Sequence, residues 1–243
     1  MRGSESGAVG EGSIAWVTGA GRGIGRAVAE ALAQRGLRVV LSARTAAQIE
    51  AVAAAINGAG GKALSIAADV TKPDELTALV AQVREVWGEI DILVNNAGVW
   101  RFTEVAKTSL EEWQEQIAVN LTGAFLCTKA VLEGMLRRGS GHIINIISVA
   151  GKRPYARCAA YCAAKYGLLG FTEVLRMEVR KQGIRVTAVF PGATDTPGWG
   201  AEDERRALMM RPQSVAQVVV AACFAPPDVM PEETVLRPVP GDL

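Results

Sequence analysis

The sequence predicts a doubly wound α/β fold, a mostly parallel, seven-stranded sheet with helices on both faces in the manner of a Rossmann fold. Short runs rich in Val, Ile and Leu show little polar alternation, as strands covered on both faces require. Segments of helix-forming composition alternate with these runs, which allows parallel connections. A glycine-rich turn separates the first apolar run from the first helical segment, so the chain opens as strand, turn and helix.

Each element is predicted from its own residues. The apolar, β-prone runs that predict strands are residues 14–17, 38–43, 63–67, 90–94, 142–147, 184–190 and 234–238. The last of these is the weakest, because it ends in proline. Helix-forming composition covers residues 26–35, 45–56, 74–87, 110–137, 159–181 and 214–224. In several of these segments apolar residues recur about every 3.6 residues.

Length and composition predict one domain. The 243 residues are 49% hydrophobic, which is enough to form a substantial core. Residues 1–13 are polar and glycine-rich, so we expect a flexible leader followed by a single domain over residues 14–243. The leader lacks the apolar core of a signal peptide, and we expect a cytoplasmic protein with no membrane partner.

Net charge and the supply of metal ligands argue against a nucleic-acid-binding protein and against a metalloprotein. The formal net charge of +1 gives no general electrostatic reason to bind nucleic acid. The four cysteines form no CxxC pair and His142 is the single histidine, so no metal site is expected. Cys158 and Cys162 share a helical face, where small packing residues need no redox role.

The glycine-rich turn has the pattern TGxxxGxG. Its glycines at positions 19, 21, 23 and 25 do not satisfy GxGxxG, because Ile24 and Arg26 break that spacing. Glycines let a phosphate approach the backbone amides, and the helix that follows presents its positive end to the anion. Such a turn serves any nucleotide and also occurs without one.

The end of the second predicted strand favours one dinucleotide. An acid there would bind the ribose 2′-hydroxyl of NAD, but this strand ends Ser42-Ala43-Arg44. Arg22 lies inside the glycine turn, so two guanidinium groups can converge on a 2′-phosphate. We therefore expect NADP(H) rather than NAD(H), with solvation of either arginine as the alternative.

Tyr161 and Lys165 are four residues apart in a segment of small residues that can form a helix. The ammonium group would then lie beside the phenol. A free phenol has a pKa of about 10, and a neighbouring cation lowers the pKa by stabilising the phenolate. We therefore expect Tyr161 to transfer protons, with Ser148 thirteen residues upstream.

The ordered motifs resemble the short-chain dehydrogenase/reductase family, in its compact single-domain form, over about residues 12–240. Its motifs are matched by Thr18–Gly25, Asp69, Asn95–Gly98, Asn120, Ser148, Tyr161-x-x-x-Lys165 and Pro191-Gly-x-x-x-Thr196. A lone YxxxK is a weak signal, whereas this ordered set is specific. The resemblance implies dimers or tetramers formed through the long fourth and fifth helices.

The resemblance implies a role for each matched residue. Tyr161 would exchange the proton, Ser148 would orient the substrate oxygen, and Lys165 would bind the nicotinamide ribose. Asn120 would hold a water next to Lys165. The remaining implied contacts to the cofactor are Gly19, Gly21, Arg22, Gly23, Ile24, Gly25, Arg44, Asp69, Val70, Asn96, Ala97, Gly98, Pro191, Gly192, Thr194 and Thr196. For Asp69 and Asn96, capping a turn is the strongest alternative.

Loops carry the candidate substrate contacts. They are residues 99–101, 149–155 and 198–200, in which Trp100, Tyr155 and Trp199 favour an apolar or aromatic substrate or else an oligomer contact. Lys152 and Arg153 are either solvated or receive an acidic group. We expect an NADP(H)-dependent oxidoreductase that interconverts a carbonyl and an alcohol.

Two alternatives stay open. A 3-ketoacyl-thioester reductase is disfavoured by the proline-rich carboxyl end, Glu233–Asp242, which lacks a Val-Asp-Gly-Gly-like tail. A catalytically silent NADP(H)-binding sensor or scaffold is disfavoured because Tyr161 and Lys165 are both present.

Overall fold

A computed structural model describes residues 9–200 and 203–241. Seven strands form one sheet in which every pairing is parallel, in the order β3-β2-β1-β4-β5-β6-β7. The strands are β1 Ile14–Thr18, β2 Arg38–Ala43, β3 Lys62–Ala67, β4 Ile92–Asn95, β5 Gly141–Ile146, β6 Ile184–Pro191 and β7 Glu233–Leu236. The predicted fold class is confirmed.

Helices cover both faces of the sheet. They are α1 Gly23–Gln34, α2 Ala46–Gly58, α3 Pro73–Val86, α4 Leu110–Ile117, α5 Gly123–Arg138, α6 Ala159–Val179 and α7 Pro212–Cys223. Helices α1, α2 and α7 pack on one face, and α3, α5 and α6 pack on the other. The sequence alternation of apolar strand and amphipathic helix thus becomes three layers.

Strand β1 shows why both faces need a helical cover. Ala15 and Val17 pack into the core of one face, while Ile14 and Trp16 pack into the core of the other. All five residues of β1 are buried. The indole of Trp16 keeps its hydrogen bond there, because its Nε1 donates to Ser42 Oγ over 2.8 Å.

The strand order changes direction beside β1. The chain runs outward from β1 through β2 to β3, then crosses back to place β4 on the other side of β1. The loops that leave β1 and β4 therefore diverge and open a crevice at the carboxyl edge of the sheet. This edge positions every motif that the sequence analysis identified.

The predicted helix over residues 110–137 is interrupted. A π-helical turn, Ala118–Thr122, separates α4 from α5. The composition of this stretch is helical throughout, and spacing alone does not reveal the wider turn. Such turns occur often at functional sites, and this one contains Asn120.

One helical stretch in the described part of the chain, Leu110–Arg138, is long and apolar enough by length and composition to cross a membrane. Helices in the core of soluble proteins pass the same test. In this fold the α5 part of the stretch packs against β4, β5, α3 and α6.

The carboxyl end of the predicted leader is joined to the domain. The amide of Gly12 donates to the carbonyl of Gly36 over 3.0 Å, and Arg38 Nε donates to the carbonyl of Gly12 over 2.8 Å. Val9 packs against the core of one sheet face. Residues 1–8 of the leader lie outside the described residues.

Candidate active site

The described part of the chain has its main cleft, about 630 Å³ in volume, at the carboxyl edge of the sheet. The cleft is lined by the predicted residues Gly19, Gly21, Arg22, Gly23, Ile24, Arg44, Asp69, Val70, Asn96, Ala97, Gly98, Asn120, Ser148, Tyr161, Lys165, Pro191, Gly192, Thr194 and Thr196. We call residues 18–25, 43–48, 68–70 and 96–98 the glycine-turn half. Residues 99–102, 149–158, 193–199 and Arg205 form the aromatic half.

The glycine turn requires residues without side chains. A Cβ placed on Gly19 would lie 2.9 Å from the Cα of Ala97, and Gly19 has a φ of +64°. A Cβ placed on Gly25 would collide with the carbonyl of Gly19 and the amide of Asn96. Gly25 is buried at the start of α1 behind the cleft wall, and its role is therefore packing that holds the turn in place.

Asn96 stabilises this turn. Its Nδ2 donates to the carbonyl of Thr18 over 2.9 Å and to that of Gly19 over 3.3 Å. The hydroxyl of Thr18 accepts from the amides of Asn96 and Ala97 over 3.0 and 2.9 Å. These bonds tie the end of β1 to the end of β4, which gives Asn96 a structural function in addition to its place on the cleft wall.

Asp69 has a comparable local function. Its Oδ1 accepts from the amide and the hydroxyl of Thr71, over 2.9 and 2.8 Å, in an Asx turn. Its amide donates to Glu75 Oε2 over 2.7 Å. The turn holds the segment after β3, including the buried Val70, against the cleft.

Arg22 and Arg44 are exposed and lie on the same half of the cleft. Arg22 lies in the glycine turn that follows β1, and Arg44 follows β2. Strands β1 and β2 are neighbours in the sheet. Sequence reasoning missed Thr45 and Gln48, which also line this half. A Cβ placed on Gly21 would lie 2.8 Å from Gln48 Cβ, so Gln48 packs directly against the turn.

Tyr161 and Ser148 meet between the two halves. Tyr161 lies in the first turns of α6, Ser148 follows β5, and both side chains line the cleft. Burial raises the pKa of Tyr161 from 10.0 to about 12, and the Ser148 hydrogen bond opposes that rise. The expected net lowering of this pKa is therefore wrong, because loss of hydration is the largest influence on the phenol.

Lys165 lies beneath this pair. Its Nζ is 5.6 Å from the ring centroid of Tyr161 and donates to the carbonyl of Ile146 over 3.0 Å. Lys165 is 4% exposed, and burial lowers the pKa of its ammonium from 10.5 to about 7. The sequence correctly predicted that these two side chains lie close together. It could not reveal how strongly burial shifts the pKa values of both groups.

The π turn presents Asn120 to the same region. Its Nδ2 donates to the carbonyls of Val99 and Gln116 over 2.7 and 2.9 Å, and its Oδ1 accepts from the amide of Val99 over 3.3 Å. A Cβ on Gly98 would lie 2.8 Å from Asn120 Oδ1 and 3.9 Å from Lys165 Nζ. A larger residue at position 98 would therefore crowd the side-chain oxygen of Asn120.

The backbone of Ser148 is strained. Its φ of +136° and ψ of +155° fall in a region that is almost restricted to glycine. Its Oγ accepts from the amide of Ala150 over 3.1 Å, which fixes the side chain. A Cβ on the nearby Gly151 would lie 2.9 Å from the carbonyl oxygen of Lys165, so this loop packs directly on α6.

The loop after β6 closes the cleft from the other side. Gly192 approaches β7, with its amide donating to the carbonyl of Leu236 over 2.7 Å. Thr194 is buried and bonds to the carbonyl of Gly192 over 3.0 Å. Thr196 lies against the glycine turn, because a Cβ on Gly23 would lie 3.2 Å from its Cγ2.

The aromatic half includes three predicted aromatic residues, Trp100, Tyr155 and Trp199. Sequence reasoning missed Phe102, Cys158 and Arg205, since a loop has no periodicity from which the direction of a side chain can be read. Two predicted loop charges are engaged elsewhere. Arg101 pairs with Glu115 over 2.8 Å, and Lys152 pairs with Glu233 over 2.6 Å.

Known proteins resemble this chain closely. Residues 13–207 match the family model described as short chain dehydrogenase. A sepiapterin reductase from Chlorobaculum tepidum is 39% identical over 238 residues, which cover 95% of this chain and 98% of the relative. A 3-oxoacyl-[acyl-carrier-protein] reductase from Synechocystis is 47% identical over 185 residues, 75% of each chain.

A solved structure agrees with these relatives. It is a metagenomic short-chain oxidoreductase in complex with NADP, with a TM-score of 0.84 and 38% identity over 94% of this chain and 98% of that one. The family match over residues 13–207 includes every residue that lines the cleft. The chain belongs to the short-chain dehydrogenase family of oxidoreductases.

Proposed function

We propose that this protein is an NADP(H)-dependent oxidoreductase that interconverts a carbonyl compound and an alcohol, with Tyr161 as its acid and base. One observation carries the proposal. Tyr161, Ser148 and Lys165 line the same cleft, with Lys165 Nζ 5.6 Å from the centroid of the Tyr161 ring. This arrangement offers a proton donor and a second hydroxyl to one substrate oxygen.

The glycine-turn half fits a dinucleotide. Its backbone is open where side chains would otherwise stand, and the amino end of α1 follows directly. Arg22 and Arg44 supply planar donor groups where a 2′-phosphate would lie, which favours NADP(H) over NAD(H). The short-chain oxidoreductase described above was solved with NADP, in support of this choice.

During reduction the bound cofactor would supply a hydride to the carbonyl carbon. Tyr161 would donate its hydroxyl proton to the carbonyl oxygen, and Ser148 would hold that oxygen against the phenol. Lys165 would bind ribose hydroxyls and stabilise the phenolate that is left. Asn120 would hold a water next to Lys165, through which the proton is replaced.

The proposed cofactor contacts follow the cleft wall. The turn residues Gly19, Gly21, Gly23 and Ile24 would bind the pyrophosphate, and Asp69 and Val70 would flank the adenine. Ala97, Gly98 and Asn96 would line the adenine ribose crevice. Pro191, Gly192, Thr194 and Thr196 would contact the nicotinamide half.

Steady-state kinetics test this proposal. Purified protein is given NADPH or NADH with a panel of ketones, aldehydes and secondary alcohols, and nicotinamide absorbance is followed. We expect turnover with a higher kcat/KM for NADPH, and loss of that preference in Arg44→Ala but not in the exposed Arg84→Ala on α3. Tight NADPH binding without turnover would instead establish the silent sensor, and an NADH preference would reject the cofactor assignment.

A 3-ketoacyl-thioester reductase is the second candidate. The observation that favours it is the 47% identity to the Synechocystis reductase, although that match leaves a quarter of each chain uncovered. Strand β7 ends at Leu236, and the proline-rich end that disfavours this candidate follows it. Turnover of 3-ketoacyl thioesters with a kcat/KM above that of every free ketone would make this the preferred function.

A homodimer or homotetramer is also proposed. Helices α5 and α6 expose a row of large apolar side chains, namely Phe125, Leu136, Tyr166, Val174 and Met177, in which Met177 is 69% exposed. Gly170 has no atom within 4 Å of its Cβ position, so a neighbouring helix could approach it closely. Sedimentation of the wild type and of Met177→Glu tests this interface. Cytoplasmic location stays a prediction.

A further inference from the structure

Three aromatic side chains form a continuous wall in the aromatic half of the cleft. The ring centroids of Trp100 and Phe102 are 4.9 Å apart, those of Trp100 and Trp199 are 5.0 Å apart, and those of Phe102 and Trp199 are 6.1 Å apart. All three side chains line the cleft. We call Trp100, Phe102 and Trp199 the aromatic wall. It is assembled from two loops that are about a hundred residues apart in sequence.

The aromatic wall is fixed relative to the catalytic residues. Val99 precedes Trp100, and both its amide and its carbonyl are bonded to the side chain of Asn120. Thr103 follows Phe102, and its amide donates to the carbonyl of Arg157 over 2.8 Å, just before α6 begins. Trp100 and Phe102 are therefore held between Asn120 and the helix that carries Tyr161.

The other side of the wall is held by the loop after β6. Gly198 allows Trp100 to lie against this loop, since a Cβ there would be 3.1 Å from the indole. Trp199 donates its amide to the carbonyl of Thr196 over 3.1 Å. The guanidinium of Arg205 lies 5.3 Å from the ring centroid of Trp199, which supports the outer part of the indole.

The charge beside the wall is already balanced. Asp203 binds Arg205 by two hydrogen bonds, of 2.9 and 2.6 Å, so an anionic ligand would meet the carboxylate as well as the guanidinium. The other described residues of the aromatic half that line the cleft are uncharged, among them Val149, Ala150, Tyr155, Ala156, Cys158 and Pro197. Arg205 thus favours a stacked indole more than it favours an acidic substrate.

We infer that the substrate of this site is a neutral carbonyl compound with an aromatic ring close to its carbonyl group, held by stacking on the aromatic wall. This inference rests on the proposed reductase function. The carbonyl oxygen reaches Tyr161 and Ser148 while the ring contacts the wall that Asn120 and α6 fix in place. Aromatic contacts in offset or edge geometry contribute beyond the area that they bury.

Two matched ketones test the inference. The substrates 1-phenylpropan-2-one and 1-cyclohexylpropan-2-one have the same unconjugated ketone group and differ in whether the six-membered ring is aromatic. Wild-type protein should show a kcat/KM for the aromatic ketone about two- to twelvefold higher, as expected for one favourable ring contact. Trp100→Leu and Trp199→Leu should lower this ratio toward one. The control Trp113→Leu, which alters a partly exposed indole on α4 outside the cleft, should keep it.

The Kd for NADPH, measured by fluorescence, should be the same in all these proteins that fold. If a Trp→Leu variant fails to fold, Trp199→Phe keeps an aromatic ring and should keep the preference. A charged probe adds a second arm: the methyl ester of 4-acetylbenzoate should be reduced faster than the free acid.

The possible failures are distinguishable. If no carbonyl compound is reduced, the proposed function is wrong. If both ketones are reduced equally well, or if the ratio persists in Trp100→Leu and Trp199→Leu, the reductase stands and the aromatic substrate class is wrong. A preference for free 4-acetylbenzoate overturns the neutral character of the substrate. A change of sedimentation in Trp199→Leu with an unchanged ratio would make the wall a subunit contact.

Discussion

The two halves of the cleft achieve their shape in different ways. In the glycine-turn half the backbone itself forms the surface, and Gly19, Gly25 and Gly98 are required because a Cβ would meet neighbouring atoms. In the aromatic half, large side chains from loops form the surface, and the rings of Trp100, Phe102 and Trp199 support one another. The first half tolerates few substitutions, whereas the second can change its specificity by exchanging side chains.

Tyr161, Ser148 and Lys165 lie between these halves and belong to neither. They come from α6, whose core lies on the opposite sheet face from α1, and from the end of β5, a strand that packs on both faces. The comparison therefore predicts that chemistry, cofactor affinity and substrate preference can be changed separately by substitution.

The largest effect is expected for Tyr161→Phe. Removing the hydroxyl removes the proton donor while leaving the ring in place, so kcat/KM should fall about 10²- to 10⁴-fold. The Kd for NADPH, measured by fluorescence titration, should change less than about twofold, because this hydroxyl is not part of the glycine-turn half. A comparable loss of NADPH affinity would show that chemistry and cofactor binding are not separable here.

A second prediction concerns Lys165 and pH. Its pKa is about 7 in the fold and near 10.5 when hydrated, so between these values unfolding takes up a proton and rising pH stabilises the native state. The free energy of unfolding should rise by up to about 1.4 kcal/mol per pH unit from pH 7 to 9, relative to Lys165→Met. Above about pH 10 the raised pKa of Tyr161 acts in the opposite direction. Urea denaturation at pH 7, 8 and 9 measures the difference, and parallel profiles would contradict it.

Gly→Ala substitutions compare the halves directly. Gly25→Ala forces a Cβ against the carbonyl of Gly19, and we expect a loss of about 1–3 kcal/mol in stability together with weaker NADPH binding. Gly198→Ala meets only the indole of Trp100, which can shift, so substrate preference should change while NADPH binding is retained. Gly58→Ala on α2, where no atom lies within 4 Å of the Cβ position, is the control and should be neutral or slightly stabilising. Equal effects of Gly25→Ala and Gly198→Ala on NADPH affinity would remove the distinction.

The smallest effect is expected at Ser148. Its backbone conformation is one that glycine adopts freely, so Ser148→Gly should be more stable than Ser148→Ala by about 1 kcal/mol, at the lower end of the cost of such strain. Both variants lose the hydroxyl and should lose activity alike. Thermal denaturation of the pair isolates the backbone contribution. If the alanine variant is the more stable one, Ser148 does not store strain.

The sequence predicted the fold and most residues of the glycine-turn half, because patterns determine both. Strand β1 and the turn after it are recognised by an apolar run followed by glycines, and the absence of an acid after Ser42 and Ala43 is visible in the sequence itself. The TGxxxGxG spacing constrains the backbone locally, so no knowledge of distant contacts is needed.

Other features depend on distant contacts and could not be predicted. Phe102 and Arg205 line the cleft because of how two loops fold over it. The high pKa of Tyr161 depends on burial by residues from several elements. By contrast, the hydrogen bonds of Asn96 and Asp69 agree with the turn-capping alternative that the sequence suggested for these two residues.

The π turn between α4 and α5 also alters the outer surface of the molecule. A π turn contains one residue more than the corresponding α-helical turn, so the helix beyond it is rotated by about 100° relative to an uninterrupted helix. Trp113 and Phe125 would stand about 120° apart without it, and with it they are separated by only about 20° around the axis. The exposed apolar side chains Leu110, Trp113, Phe125 and Leu136 consequently fall within about 60° of one another around the helix axis. The π turn that contains Asn120 thus also brings exposed apolar side chains of α4 and α5 to one side of the helix, where a second helix could pack.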